Sequence, residues 1–326
     1  MRKTVNEVHI IGRLYSADLK EAVVQNTAST VYGKEYINGT INIATDDKGL
    51  NVVPITFAFV TSTTKSGKPN ITYSNLKRIL EEDENIKTVA KDGIENATIV
   101  EVSRSALTID DRYVVASKEF KTYTSNSGGF VTFKSPNDLP AAEEMRNSFD
   151  ADMVITGFRR VPENPEREIK EHGIVHGAIF SFNESMLPID FKVTSDSGMD
   201  YFEGLGVSNS NPIFTKVHGM IVNNRIVVET TEQTAFGAPI VTTTTKTTRD
   251  WIITSVIETP YEFGAENVLT AAELTAKMQD REVHLAKVKS DAEEYAASKG
   301  NSNPLGNGVP AATNPVAGAK PGAFKF

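Results

Sequence analysis

The chain has 326 residues, 39% of them hydrophobic and 23% charged, with a formal net charge of −8; this is an ordinary soluble globular composition, long enough for about two domains. Cysteine is absent, which excludes disulfides, thiolate catalysis and cysteine-held zinc or iron–sulfur centres. No apolar run approaches the length of a membrane-spanning helix and no signal-peptide apolar stretch follows Met1, so a cytoplasmic protein with no membrane contact is expected.

In chain order, the pattern is first β-rich. Short alternating apolar runs predict strands at residues 8–15, 36–44, 54–60, 97–102, 129–133, 153–158, 174–182, 188–193, 216–222, 225–230, 239–245 and 251–257. Short helices are predicted at 73–82, with Leu76, Ile79 and Leu80 on one face, at 141–146 and at 199–204. Residues 265–299 change character. Thr270 and Glu273 form a capping box, and behind it Leu274, Met278, Leu285, Val288, Ala292 and Tyr295 follow a 4-3 spacing interrupted by Arg281, predicting a long amphipathic helix. Residues 300–326 are rich in Gly, Pro, Ala and Asn and read as a flexible tail.

An internal repeat organises the strands. Gly39-Thr-Ile-Asn-Ile43 precedes Pro54-Ile-Thr-Phe-Ala-Phe-Val60, and Gly177-Ala-Ile-Phe-Ser181 precedes Pro188-Ile-Asp-Phe-Lys-Val193. Similar strands frame these units at Val8, Met153 and Trp251. Each unit offers about five strands with a helix after the third, which is the layout of the OB barrel; an immunoglobulin-like or jelly-roll sandwich shares many of these cues. The expected fold is mainly β: two tandem OB-like antiparallel barrels, over 1–150 and 151–262, followed by an amphipathic C-terminal helix over 263–299 and a disordered tail over 300–326. Gly12 and Gly39, inside strands, mark bulges or tight barrel bends.

The opening run Asn6-Glu-Val-His-Ile-Ile-Gly-Arg-Leu14 resembles the first strand of bacterial-type single-stranded-DNA-binding proteins, and Ile41–Ala44, a third strand and a helix follow in that family's order. The resemblance implies an OB fold and single-stranded DNA binding in replication or recombination, with phage counterparts. The tail departs from it. Tails of that family end in an acidic tip that recruits partners, whereas this one carries Lys320 and Lys325 and no Asp or Glu after Glu294.

Strand alternation divides core from surface. In unit 1 it turns Ile37, Ile41, Ile43, Ile55, Phe57 and Phe59 inward and Tyr36, Asn38, Thr40 and Asn42 outward. In unit 2 it turns His176, Phe180, Phe182 and Lys192 outward. Outward aromatics supply base stacking, and cations neutralise phosphates; the alternative is that the C-terminal helix or a partner subunit covers them. The candidate nucleic-acid-binding residues are Arg13, Tyr15, Lys34, Tyr36, Lys65, Lys68, Arg160, His176, Phe180, Phe182 and Lys192, joined by an aromatic-and-lysine hairpin of Phe120, Lys121, Tyr123, Phe130 and Phe133 with Ser127-Gly-Gly129 at its tip. Lys65-Ser-Gly-Lys68 lacks the full phosphate-loop signature and reads as a surface turn.

No nucleophile elbow or His-Glu-x-x-His occurs, and the one His-x-x-x-His spacing among the 5 histidines, His172 to His176, falls in strand context and not on a helix, so neither an enzyme nor a cofactor nor a metal site is expected. The function expected is single-stranded nucleic-acid binding, with self-association through the helix at 265–299 and replication-protein contact through the tail. The alternative is a phage virion or other structural assembly protein, which the acidic total and the Thr-rich segment at 241–248 favour.

Overall fold

The computed structural model describes residues 4–300 except 168, 233–235, 237–239 and 266–267. The first barrel begins with β1 (Asn6–Val23), β2 (Glu35–Ala44) and β3 (Val52–Thr61), crosses by helix α1 (Ile71–Leu80) and the single turn α2 (Val89–Asp92), and finishes with β4 (Ile99–Val114), β5 (Glu119–Ser127) and the short β6 (Phe130–Lys134). β1 pairs with β2 and β4, β2 with β3, and β4 with β5 and β6, all antiparallel; a parallel contact of β3 with β5 at Thr56 and Ser127 closes the ring. That order, with a helix between the third and fourth strands, is the OB topology.

The second barrel repeats it. β7 (Asn147–Val161), β8 (His172–Phe180) and β9 (Met186–Val193) lead to α3 (Asp196–Gly204), then β10 (Ile213–Glu232) and β11 (Ile240–Val256). β7 pairs with β8 and β10, β10 with β11, and β9 meets β11 in parallel at Lys192 and Ile252. The repeated frames occupy β2–β3 and β8–β9. Pro54 stands opposite Asn42 while Pro188 stands opposite Ala178, so the second hairpin is slipped by two residues. An even slip keeps every side chain on its face.

The barrels join through β1 and β7, which pair antiparallel from Asn6–Ala151 to Ile10–Asn147 around Val8–Phe149. The ladder is symmetric, and so are its locks. Asn6 bonds both the N–H and the C=O of Leu107 in β4, and Asn147 does the same to Ile221 in β10. One apolar core, containing Val8, Ile41, Phe57, Phe149, Val175 and Phe191, runs through both barrels.

Glycine is required where strands curl most tightly. A Cβ on Gly39 would sit 2.1 Å from the Asp18 carbonyl oxygen, and one on Gly177 2.2 Å from that of Val154; each lets strand 2 of its barrel press against strand 1.

Several sequence expectations change in detail. The runs expected at 216–222 and 225–230 fall in the single strand β10, and the described residues 240–245 and 251–256 fall in the single strand β11, so the Trp251 run belongs to the last strand of barrel 2. Residues 141–146 form only a 3-10 turn at Glu143–Met145. The expected hairpin with its tip at Ser127–Gly129 does not form: β5 and β6 both pair with β4 and not with each other. Gly128 and Gly129, at φ +72° and +107°, make the corner between them.

Helix α4 (Ala271–Gly300) follows the second barrel. Its capping box forms, with the Thr270 N–H 2.8 Å from Glu273 Oε2 and the Glu273 N–H 3.1 Å from Thr270 Oγ1. Leu269, Leu274 and Met278 lie with Tyr261 and Phe263 over Val154, Phe180 and Phe214, making a second apolar cluster on the outside of barrel 2. The tail expected beyond Gly300 lies outside the described residues.

Candidate nucleic-acid interface

On barrel 1 the outward face of β2 and β3 is open. Tyr36, Asn38, Thr40 and Asn42 of β2 and Pro54 and Thr56 of β3 are half-buried on it, while their alternating neighbours Ile37, Ile41, Ile55 and Phe57 are core. The sequence parity places Phe59 in the core as well, and the structure corrects this. Ile37 pairs with Val60 and Gly39 with Phe57, so β3 carries an extra residue there. The bulge breaks the two-residue period and turns Phe59 outward, 51% exposed. Its ring lies 4.6 Å from that of Tyr36, centroid to centroid. A two-ring aromatic platform results, of which the sequence showed only half.

Cations border it. Lys34 Nζ donates to Thr63 Oγ1 at 2.8 Å, tying the end of the β1–β2 loop to the loop after β3. In that loop the Thr64 N–H bonds the Lys68 carbonyl at 2.8 Å and Gly67 takes φ +79°. The loop is therefore a tight turn, with Lys65 and Lys68 exposed on it. Nearby carboxylates are engaged elsewhere. Glu21 and Glu35 both accept from the Tyr73 hydroxyl, and Lys77 pairs with Glu21 at 2.9 Å. Burial, then these two carboxylates, push the Tyr73 hydroxyl's pKa well up, so it stays protonated and donating. The Tyr73 hydroxyl and then Lys77 hold Glu21 below the usual carboxylate range.

The other candidates divide by place. Arg13 and Tyr15 lie half-buried on β1, and Arg13 Nη1 reaches the Glu95 carbonyl at 3.4 Å, away from the platform. Phe120, Lys121 and Tyr123 lie on β5, in the arm that β4 and β5 extend beyond the barrel closure. Phe130 and Phe133 are on β6 instead. Phe133 is half-buried with the Arg78 guanidinium 4.8 Å from its centroid, and Phe130 is 54% exposed beside Arg104. Arg104 is itself a signal the sequence reading missed. It sits in a bulge of β4 at φ +54°, a strained backbone for a non-glycine residue, and its side chain is exposed.

Barrel 2 offers a different surface. Phe180 is fully buried beneath the segment that carries Tyr261, Phe263 and Leu274, so it cannot stack on a base. Alternation placed it outward correctly, and chain from 80 to 95 residues later covers it. Phe182 is 83% exposed in the turn between β8 and β9, without an aromatic neighbour among the described residues. Arg160 is held by Asp200, Glu203 and Glu171 at 2.7, 2.9 and 3.3 Å, and these carboxylates, Asp200 first, raise its pKa further. His176 pairs with Asp190 at 2.8 Å and Lys192 with Asp250 at 3.1 Å. Arg160 and Lys192, cations neutralised in this way, contribute little to phosphate binding. The face equivalent to the platform is thus ion-paired and lacks its rings.

Among the described residues no group of three or more His, Asp or Glu is arranged to hold a metal ion, and no helix is long and apolar enough to cross a membrane. A family model described as YorF matches residues 4–291. No curated protein matches the chain. Among solved structures, the wild-type single-stranded DNA binding protein from Thermus aquaticus is similar at 10% identity and a TM-score of 0.43, over 82% of this chain and 97% of that one. A deletion mutant of the same protein matches at 9% identity and a TM-score of 0.42, over 82% and 100% of the two chains.

Proposed function

The chain belongs to the YorF family, and we propose that it binds single-stranded nucleic acid on barrel 1, without catalysis, in DNA replication or recombination. The observation that carries this reading is the Tyr36–Phe59 platform: two solvent-facing rings 4.6 Å apart on strands two and three of an OB barrel, the strands this fold uses for oligonucleotides. Base stacking on such rings is worth about 1–3 kcal/mol per base. Lys34, Lys65 and Lys68 beside the rings supply phosphate neutralisation on a protein whose net charge is −8. Binding therefore rests on local contacts and not on a long-range attractive field.

The test is fluorescence anisotropy with labelled oligo-dT. Tyr36→Ala and Phe59→Ala are each expected to weaken binding by about 1–3 kcal/mol, roughly 5- to 150-fold, with the unfolding midpoint unchanged. Unchanged affinity in both variants would remove the platform from the mechanism. A second reading, a structural assembly protein, is favoured by the exposed Val283 and Tyr295 on the distal part of α4. It predicts a multimer that loses subunits on Val283→Glu and an oligo-dT affinity that the platform variants leave untouched.

A further inference from the structure

The end of the β1–β2 hairpin is acidic where it meets α1. Glu21 of β1 stands opposite Ile37, and Glu35 of β2 stands opposite Val23, so the two carboxylates are diagonal neighbours on one face of the hairpin. Side chains of that length reach each other across the strands, and like charges so placed repel. The chain neighbours of Glu35 are Lys34 and Tyr36, the cation and the ring that the platform takes from this hairpin.

One side chain answers both carboxylates. Tyr73 of α1, 6% exposed, directs its hydroxyl at Glu21 and at Glu35, the latter at 3.0 Å. A phenol has one proton to give, so a single hydrogen is shared between two acceptors. The ring packs in the core with Leu76 and Ile79, which delivers the hydroxyl from a fixed direction. The surrounding charges leave Glu35 to it. Lys77 of α1 pairs with Glu21 at 2.9 Å and lies 3.8 Å from Glu81. Lys34 bonds Thr63. β3 carries no ionisable side chain, and β6 sends its one cation, Lys134, to Glu101 at 3.0 Å. Among the described residues the Tyr73 hydroxyl is thus the only side-chain donor to Glu35.

What this hairpin end holds is the start of the platform strand. The Val24 N–H bonds the Lys34 carbonyl at 3.0 Å, and the Ser62 N–H bonds the Glu35 carbonyl at 2.9 Å. Tyr36 pairs with Thr61. Residues 34–36 therefore splice β1, β2 and β3 together. The two rings of the platform stand on different strands, Tyr36 on β2 and Phe59 on β3, so a hairpin end that opens carries one ring away from the other.

We propose that Tyr73 is a positioning residue for the platform: its shared hydroxyl proton cancels the repulsion between Glu21 and Glu35 and so keeps residues 34–36, with the Tyr36 ring, in register with Phe59. The proposal rests on the single-strand reading of barrel 1, and Tyr73 itself touches no ligand. Burial, and then the two carboxylates, keep the proton on the hydroxyl at neutral pH. The clasp also accounts for a tyrosine in a core position that phenylalanine would fill equally well.

The experiment uses the full chain. It combines amide hydrogen exchange of residues 21–24 and 34–37 with the affinity for labelled oligo-dT of about 20 nucleotides, longer than the span of one OB barrel. Tyr73→Phe keeps the ring in the core; it is expected to speed exchange in both segments and to weaken binding several-fold at neutral pH. Two carboxylates that share a site without a donor take up a proton more readily, so the gap to the wild type closes as pH falls from about 7 to about 5. Tyr73→Phe with Glu35→Gln, which removes one of the repelling charges, restores slow exchange and affinity at neutral pH. Tyr73→Phe adds nothing to the loss in Tyr36→Ala, because it acts through that ring. Unchanged exchange in Tyr73→Phe overturns the clasp. A loss that neither acid nor Glu35→Gln repairs is that of a missing structural hydrogen bond, and it overturns the positioning role; so does a loss that adds in full to that of Tyr36→Ala. If the wild-type chain binds no oligo-dT, the single-strand reading fails and the positioning role falls with it, while the exchange result and its repair by Glu35→Gln still report on the clasp.

Discussion

At the scale of single residues, two aromatics exchange the roles that alternation gives them. Phe59, expected in the core, lies on the surface; Phe180, expected as a stacking ring, lies in the core. They should therefore respond oppositely to truncation. Phe180→Ala leaves a cavity and is expected to cost about 3–5 kcal/mol of stability, with oligo-dT affinity retained in whatever fraction stays folded; denaturant titration with parallel anisotropy checks both. Phe182→Ala, at a solvent-facing turn, is expected to change neither. The two mistaken assignments have different origins. A period-two pattern carries no mark of a one-residue bulge, and it does not show which distant segment will cover a correctly outward side chain. Glu101 adds a pH dependence. Burial works against its charge, but hydrogen bonds from His9, Lys134 and Thr132 prevail and hold its pKa below the ordinary 4.5. A depressed carboxylate stabilises the fold above its unfolded pKa and loses that contribution as pH falls through its folded value. Thermal midpoints measured from pH 6 downward should thus fall less steeply below 4.5 in Glu101→Gln than in the wild type. Parallel curves would show that the carboxylate makes no such contribution.

At the scale of elements, what the sequence revealed depended on burial. The strands whose one face meets the core, β1 to β3 and β7 to β9, stood out by alternation, and the helix at 71–80 by its apolar face. The outer half of β4 and nearly all of β5 did not, because an arm with one face in solvent and an ion pair on the other, at Asp111, has no apolar period to read. The two asparagines at the arm roots were equally silent, as nothing in sequence distinguishes a lock from a loop residue. Each satisfies a backbone N–H and C=O at once. Asn6→Ala should unpair both Leu107 groups and Asn147→Ala the Ile221 N–H, whose C=O keeps Asn51 Nδ2 at 3.3 Å, at about 1–3 kcal/mol per unpaired group. Asn147, 1% exposed, should be the costlier, since water cannot take over its bonds. Chemical denaturation of Asn6→Ala and Asn147→Ala checks the ranking, and equal small effects would show that the arms do not depend on these locks.

At the scale of the whole molecule, the repeat was the most legible feature: the two Gly-x-Ile frames do occupy equivalent strands of two barrels joined about a symmetric ladder. The difference between the two barrels' outer faces was not legible. It arises because the segment after β11 folds back on barrel 2, while its strand face is closed by the His176–Asp190 and Lys192–Asp250 pairs. Two similar barrels thus offer one open platform, and on the proposed reading a chain should bind one strand with the footprint of a single barrel. Trp251, packed 6.0 Å from Phe191 in barrel 2, is poorly placed to report this, so a label on the nucleic acid is the right probe. The most direct test is a titration of the wild-type chain with labelled oligo-dT and with a duplex of equal length, each at two salt concentrations. The account predicts selective binding of the single strand at one site per chain, weakening as salt rises with a slope of about 0.7 per phosphate contacted. Equal affinity for the duplex, or no binding at the lower salt, would contradict it.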